Sequence, residues 1–202
     1  EIVFGDWSSD VCSSDLGTVF WMSGEIRFEY SGKLFAPGTS ESPIVFTRIP
    51  GTSTYWEGLR FLSPCPEANL AFCTIDYAGY NQYEHSRYAV LNNSATAVSL
   101  SHCSISNSYG HGILASDMSI TDTFSVSDCQ INHVGLNGFT TDTNNYNLSV
   151  SNTEITNGNG YPIYTKADLV DRFSGILSSG FTNQYFARSE EHTSELQSPN
   201  TI

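Results

Sequence analysis

Three copies of one pattern of ten residues organise the middle of the chain. They occupy residues 98–107, 124–133 and 148–157, and two glycines follow each copy closely. A shared isoleucine sets the period, since Ile105 and Ile131 are 26 residues apart and Ile131 and Ile155 are 24 apart. A self-similar period of this size indicates structural repeats that stack on one another.

Each copy has the residue alternation of a β-strand. Apolar residues such as Phe124 and Val126 alternate with polar ones, which is the period of a strand with one buried face. A polar pair then interrupts the strand, and the alternation resumes with Cys129 and Ile131. Each repeat therefore predicts two short strands, a tight bend between them and a longer loop afterwards. Helical spacing of apolar residues is absent over 24–163, so the predicted fold class is all-β, a parallel β-helix with one turn per repeat.

Stacked turns bring equivalent side chains into columns along the coil. Two inward columns are predicted: Ile75, Ile105, Ile131 and Ile155, and Cys73, Cys103, Cys129 and Thr153. A third inward column is expected two residues after each isoleucine, where Asn107 and Asn157 would hydrogen-bond along the axis. In this column His133 is predicted to be a satisfied core histidine. His102 falls at a bend and is predicted to be solvated.

These repeats resemble the right-handed parallel β-helix family of secreted bacterial proteins. The earlier segments 32–47 and 56–61 resemble an opening turn that is common in surface-exposed members, in which Trp56 would cover a turn. The resemblance covers most of 24–163 and implies a single-stranded right-handed parallel β-helix in a secreted or cell-surface protein. The family includes polysaccharide lyases, glycoside hydrolases and adhesins, so the resemblance is specific for the fold and not for an activity.

The two ends of the chain differ in style from its interior and resemble a translated sequencing adapter. One DNA duplex can encode both ends, with residues 188–202 on one strand and residues 2–16 on the other. We therefore expect 1–16 and 188–202 to be artefacts. Residues 17–187 are then expected to be a β-helix fragment of a longer protein.

The charge balance excludes some partners. The formal net charge is −13, and because part of it lies in the two ends, the interior is mildly acidic. Binding to nucleic acid requires a basic surface, so no nucleic-acid partner is predicted. An anionic membrane surface is disfavoured for the same reason, and no membrane insertion is predicted within the fragment. The sequence does not indicate an oligomeric state.

Four interior cysteines leave two alternatives open: Cys65, Cys73, Cys103 and Cys129. The favoured interpretation is buried free thiols that act as small hydrophobic residues. The alternative is a disulfide, either between cysteines of adjacent turns or, as the favoured bridge, between Cys65 and Cys73. No Cys-x-x-Cys or His-x-x-x-His spacing supports a metal site, so none is predicted. Asp122 and Asp142 leave Ca²⁺ as a weakly supported cofactor.

The longest polar excursion of the chain, 76–88, holds the predicted ligand-binding residues: Asp76, Tyr77, Tyr80, Tyr83, Glu84, His85, Arg87 and Tyr88. Aromatic rings stack on the apolar face of sugars, while carboxylates and arginine hold hydroxyls or uronate carboxylates. The alternative is a structural loop whose tyrosines cover the flank of the coil. Two further excursions, 116–123 and 140–146, are expected to line the same edge if the turns stack.

Signals for catalysis are incomplete. Glycoside hydrolysis requires two carboxylates at a set separation, and nothing in the sequence pairs the loop acids Asp76, Glu84, Asp117 and Asp142. The tripeptide 110–112, with His111 between two glycines, resembles one motif of the polygalacturonase branch. The Asp-Asp and Arg-Ile-Lys motifs of that branch are absent. His111 is therefore predicted to be a corner residue, and catalytic residues stay unassigned.

The sequence thus predicts a repeat scaffold of a secreted or cell-surface protein. Its lateral loops would bind a polysaccharide or surface glycan, or act in adhesion. The alternative is a carbohydrate-active enzyme, a polysaccharide lyase or glycoside hydrolase, with its site partly outside the fragment. An enzyme predicts ionisable side chains that converge near residues 76–88, whereas a scaffold predicts that they are scattered.

Overall fold

A computed structural model describes residues 16–23, 25–28, 33–80, 87–142, 147–183 and 187–189. In this part of the chain the backbone winds into a solenoid of about six turns. A full turn contributes one strand to each of three parallel sheets, which we call A, B and C. The predicted parallel β-helix is therefore confirmed.

The strands are numbered β1 to β20 in chain order. Sheet A consists of β1 (Val19–Met22), β4 (Ile44–Arg48), β7 (Cys73–Asp76), β10 (Ser104–Ser108), β13 (Gln130–Val134), β16 (Glu154–Gly158) and β19 (Leu177–Phe181). Sheet B consists of β2 (Glu25–Phe28), β5 (Gly58–Leu62), β8 (Tyr88–Asn93), β11 (His111–Ser116), β14 (Phe139–Thr141), β17 (Ile163–Lys166) and β20 (Ala187–Ser189). Sheet C consists of β3 (Lys33–Pro37), β6 (Glu67–Ala71), β9 (Ala97–Ser101), β12 (Thr123–Ser127), β15 (Leu148–Ser151) and β18 (Phe173–Ser174). A 3₁₀ helix, Ala167–Arg172, links β17 to β18.

The prediction of two strands and a long loop per repeat is wrong, because each full turn has a third strand, in sheet B. Its strands follow the glycines that were expected to begin a loop. Their inward positions are partly polar or small, because Asn92, Thr141 and Thr165 are fully buried in line with Ala115. An inward face of this composition does not produce the apolar alternation that marks the strands of sheets A and C.

The isoleucine column is confirmed by the strand register. Ile105 pairs with Ile75 on one side and with Ile131 on the other, and Ile131 pairs with Ile155. All four side chains are fully buried. Burying an isoleucine contributes about 1.5–3 kcal/mol, so this column is a major part of the stability of each turn.

A bend of one or two residues joins sheet C to sheet A in the repeated turns. The bend residues occupy the left-handed backbone region, at φ values of 49°, 51°, 54° and 47° for Phe72, His102, Asp128 and Asn152. His102 is exposed, as predicted, and its ring stacks on that of Phe72 at a centroid distance of 4.6 Å.

The prediction of an inward column two residues after each isoleucine is wrong. Tyr77, Asn107, His133 and Asn157 all have φ between 50° and 56°. This conformation ends the strand alternation, and His133 and Asn157 are exposed rather than buried. His133 is therefore not a core histidine. The amides bond diagonally to the preceding turn instead, since Asn157 Nδ2 donates to Asn132 Oδ1 at 2.9 Å.

The expectation that three loops line one edge is also wrong. The first excursion, 76–88, connects sheet A to sheet B, whereas 116–123 and 140–146 connect sheet B to sheet C. The sequence pattern misses this because it does not reveal sheet B. Most of the two ends, 1–15 and 190–202, lies outside the described residues, so the adapter interpretation stays a prediction.

Candidate functional site

The connections between sheets A and B place residues from three turns on one lateral surface. Residues 49–57 link β4 to β5, and residues 77–87 link β7 to β8. In the next turn only Tyr109 and Gly110 separate β10 from β11. The strands that these segments join are neighbours in both sheets, so the three connections lie side by side.

Trp56 ties the first two connections together. Its indole is only 1 % exposed, and Nε1 donates to the backbone oxygen of Asp76 at 2.8 Å. The backbone N–H of Trp56 donates to the oxygen of Tyr77 at 3.1 Å, and its carbonyl accepts from the N–H of Tyr80 at 3.2 Å. The prediction that Trp56 covers a turn is confirmed, and this anchoring fixes the neighbouring Tyr55.

Four tyrosines and two arginines meet on this surface and form what we call the tyrosine–arginine patch: Arg48, Tyr55, Tyr77, Tyr80, Arg87 and Tyr109. The ring centroid of Tyr109 lies 5.4 Å from that of Tyr55 and 5.2 Å from that of Tyr80, and both pairs are edge to face. Tyr55 also contacts Tyr77 at 5.9 Å. Such pairs stabilise one another beyond their buried area, so the patch is a packed unit with Tyr109 at its centre.

One arginine lies over a ring at the end of this group, and the other lies over its central ring. The Cζ atom of Arg48 is 3.6 Å from the ring centroid of Tyr77, and the Cζ atom of Arg87 is 5.2 Å from that of Tyr109. These are cation–π contacts. Within the described part of the chain the guanidinium of Arg48 has no hydrogen bond and no ion pair, so its N–H donors are available.

Two of the four tyrosine rings of the patch face solvent. Tyr80 is 45 % exposed and Tyr109 is 40 % exposed, while Tyr55 and Tyr77 are half-buried. Among the described residues, none of the four hydroxyl groups has a hydrogen-bond partner. A ligand can therefore contact ring surface and hydroxyl groups at the same place.

Asp76 was predicted as a ligand-binding acid, and the structure shows that it contacts its own coil. Its Oδ1 atom accepts hydrogen bonds from Ser106 Oγ and from Asn107 Nδ2, each at 2.8 Å. Asp76 thus satisfies the bend of the following turn. Its carboxylate supports the surface on which Tyr77 lies.

Tyr88 lies close to the patch, but its side chain is buried against the coil. It begins β8 and is buried, and the guanidinium of Arg60 donates to its hydroxyl. The Cζ atom of Arg60 also lies 5.0 Å from the ring centroid of Tyr88. For this one tyrosine, the alternative prediction of a ring that covers the flank describes the structure.

Three of the predicted ligand-binding residues, Tyr83, Glu84 and His85, lie outside the described residues. Three members of the patch were missed at the sequence level: Arg48, Tyr55 and Tyr109. A signal for Arg48 exists, because the β4–β7 register pairs Phe46 with Ile75 and so places Arg48 at the level of Tyr77. Tyr55 and Tyr109 carry no such signal, since neither occupies a repeated position.

The remaining loop acids form a separate group at the corner of sheets B and C. Loss of hydration raises the pKa of the Asp142 carboxyl, and the negative charge of Asp117 raises it further, while Lys166 lowers it. Asp117 accepts a hydrogen bond from Asn93 at 3.2 Å, and Asp122 accepts one from the backbone of Ser119 at 2.7 Å. In the described part of the chain, no group of three or more metal-binding side chains is positioned to hold an ion.

His111 begins β11, as expected for a corner residue. Its Nδ1 atom lies 3.3 Å from the donating backbone nitrogen of Asn137 and 3.2 Å from Thr140 Oγ1. Burial lowers the pKa of the imidazole to about 4. The ring is therefore neutral at physiological pH and acts as a hydrogen-bond acceptor between neighbouring turns.

The four described cysteines are buried free thiols, as the favoured interpretation predicted. The thiol of Cys103 contacts Cys129, which lowers its pKa, but contact with Cys73 and burial raise it to about 12 overall. Contact with Cys103, together with burial, raises the pKa of Cys129, and burial raises that of Cys65. Thiols in this state are neutral and poor nucleophiles.

Comparisons with known proteins do not assign a family or a function to this protein. No protein-family model, no curated protein and no solved structure matches the chain. No helix in the described part is long and apolar enough to cross a membrane. The fold and the site together define the protein as a parallel β-solenoid with an aromatic and cationic lateral surface.

Proposed function

We propose that this chain is the repeat scaffold of a secreted or cell-surface protein and binds a polysaccharide through the tyrosine–arginine patch. One observation carries the proposal. Four tyrosines from three turns meet beside two guanidinium groups, with their hydroxyls unpaired among the described residues.

The chemistry of the patch fits a sugar polymer. The C–H face of a sugar packs on a tyrosine ring, and sugar hydroxyls exchange hydrogen bonds with phenol and guanidinium groups. The buried Trp56 and the mutual ring contacts hold the patch in place before a ligand arrives. A preorganised surface loses little conformational entropy on binding, which favours affinity.

The proposed secreted or cell-surface location and the proposed role in adhesion rest on the resemblance to secreted β-helix proteins. A solenoid presents neighbouring turns at a spacing of about 4.8 Å along its axis, so an extended polymer can contact several turns at once. The proposed role is therefore recognition of a chain rather than of a single sugar.

The test is binding to a panel of neutral and acidic polysaccharides by affinity electrophoresis and titration calorimetry. Tyr80→Ala and Tyr109→Ala remove the exposed rings, and each is expected to weaken binding at least about tenfold, as at interface hot spots. The control is Ile120→Ala, because Ile120 is 81 % exposed on the connection between sheets B and C. Its binding should equal that of the wild type. Unchanged binding in both tyrosine variants, or no binding across the panel by the folded protein, would overturn the proposal.

The same incubations test the enzymatic alternative. A reducing-end assay, with and without Ca²⁺, should show no new chain ends after prolonged incubation with each polysaccharide. Release of new ends would contradict a purely binding role. It would direct attention to the acids and histidine of residues 76–88.

A further inference from the structure

We propose that the ligand of the tyrosine–arginine patch is an acidic polysaccharide, and that Arg48 binds its carboxylate groups. This inference rests on the proposed function and narrows the class of ligand. It concerns a residue that lies outside the tyrosine-rich excursion of the sequence. Its basis is the position of one guanidinium group whose N–H donors have no partner in the part of the chain that the structure describes.

The stacking geometry leaves the edge of Arg48 available. A guanidinium carries its five N–H donors in its own plane. The Cζ atom of Arg48 lies 3.6 Å from the ring centroid of Tyr77, so one face of the group is covered by the ring. Within the described residues the N–H donors have no partner. A planar carboxylate can accept two of them in parallel, which is the preferred geometry for this pair.

The acid nearest in sequence to Tyr77 does not neutralise Arg48. Asp76 directs Oδ1 to Ser106 and Asn107 in the following turn, at 2.8 Å from each. Glu67 is likewise occupied, since it pairs with Lys33 at 3.2 Å across sheet C. Among the described residues, Arg48 is thus a cation with an aromatic neighbour and no anion.

Aromatic surface next to Arg48 favours a carboxylated sugar over a free anion. Tyr77 and Tyr55 are in contact at 5.9 Å, so the group that binds Arg48 lies beside two rings. A uronic acid presents a carboxylate on the edge of an apolar ring face, which matches this arrangement. The chain as a whole is acidic, with a formal net charge of −13. The net charge therefore opposes the approach of a polyanion, and the affinity has to come from local contacts with the patch.

The experiment compares two ligands with the same sugar backbone: polygalacturonate and its fully methyl-esterified form, in which a neutral methyl ester replaces each carboxylate. Arg48→Gln should weaken binding to polygalacturonate at least about tenfold and leave binding to the methyl ester unchanged. Arg48→Lys should restore only part of the affinity, because an ammonium group cannot form the paired hydrogen bonds. Dextran sulfate, a sulfated polymer without carboxylates, serves as a third ligand, and binding as tight as that of polygalacturonate would contradict carboxylate selectivity.

Arg172→Gln is the matched control. It removes the same charge at a distance from the patch, on the 3₁₀ helix where Arg172 contacts Asp171 at 3.3 Å. Its binding should follow the wild type. The inference fails alone if the wild type binds the methyl ester as tightly as the acid, or if Arg48→Gln weakens both equally. The proposed function fails with it only if neither ligand, nor any neutral polysaccharide, binds. Thermal melts should confirm that all variants are folded.

Discussion

The corner where sheet C turns into sheet A differs from the corner where sheet A turns into sheet B. At the first, bends of one or two residues repeat from the β6–β7 turn onwards, and their left-handed residues stack: Phe72, His102, Asp128 and Asn152. At the second, the connection ranges from two residues at Tyr109 and Gly110 to the eleven of 77–87. We call the corner between sheets C and A the narrow corner, and it maintains the register of the coil. We call the corner between sheets A and B the wide corner, and it varies in length and collects side chains from several turns.

The largest expected effect tests whether the wide corner is part of the fold. Trp56→Ala should lower the free energy of unfolding by about 3–5 kcal/mol, because a fully buried indole and its hydrogen bond to Asp76 are lost. Trp21→Ala is the control, since Trp21 is 52 % exposed, and should cost about 0.5 kcal/mol. Urea denaturation measures both. Equal costs would mean that the long connections are appendages of the coil.

The second prediction concerns the column on which both corners depend. Ile131→Ala should lower the free energy of unfolding by about 2–5 kcal/mol, because a cavity opens between Ile105 and Ile155. Ile120→Ala makes the same chemical change at an exposed position and should stay within about 0.5 kcal/mol of the wild type. If Ile131→Ala were as mild as its control, the column would not carry the stability assigned to it.

The third prediction is a pH dependence located at the wide corner. Burial lowers the pKa of His111 to about 4 in the folded state, from 6.5 when unfolded. A folded pKa below the unfolded one gives stability that is complete above pH 6.5 and is lost as the pH falls towards 4. Between pH 7 and pH 4.5 the wild type should lose about 2 kcal/mol through this group. His111→Gln should remove that component, whereas the exposed His133→Gln should retain it.

The smallest effect addresses backbone strain at the end of a strand in sheet A. His133 is exposed and has φ of 53°. A left-handed residue other than glycine costs about 1–2 kcal/mol, and the extra freedom of glycine in the unfolded chain offsets part of the gain. His133→Gly should therefore raise the free energy of unfolding by about 0.5–1 kcal/mol, and His133→Ala should give no gain. A stabilising alanine variant would contradict the role of backbone conformation.

The columns of sheets A and C were predictable because their inward residues alternate strictly. Ile105 and Val126 occupy repeated positions whose partners in the next turn have the same chemistry. Sheet B was missed because buried Asn92 and Thr141 interrupt its apolar pattern. The inward prediction for His133 failed because its positive φ of 53° interrupts the alternation within β13, and the sequence pattern does not reveal this backbone conformation.

Tyr77 and Tyr80 were predictable as surface residues from the tyrosine-rich composition of 76–88. Their partners were not, because Tyr55 and Tyr109 meet across 54 positions of sequence, and only the stacking of turns brings them together. Arg48 was missed because Phe46 stands in the isoleucine column where later turns have isoleucine. The repeat pattern is therefore not recognisable in this segment. Convergence of residues from different turns depends on the loop path, which the repeat pattern does not encode.

Every strand of the coil pairs only with the strands of the turns before and after it. The backbone hydrogen bonds therefore run along the axis, and each turn is held by its two neighbours alone. A force that pulls the two ends apart along this axis acts on all interfaces between turns in series, so the turns separate one at a time rather than all together. Such a coil should lengthen in small equal steps under tension, and the side-chain cluster at the wide corner, which ties three turns to one another, should yield last.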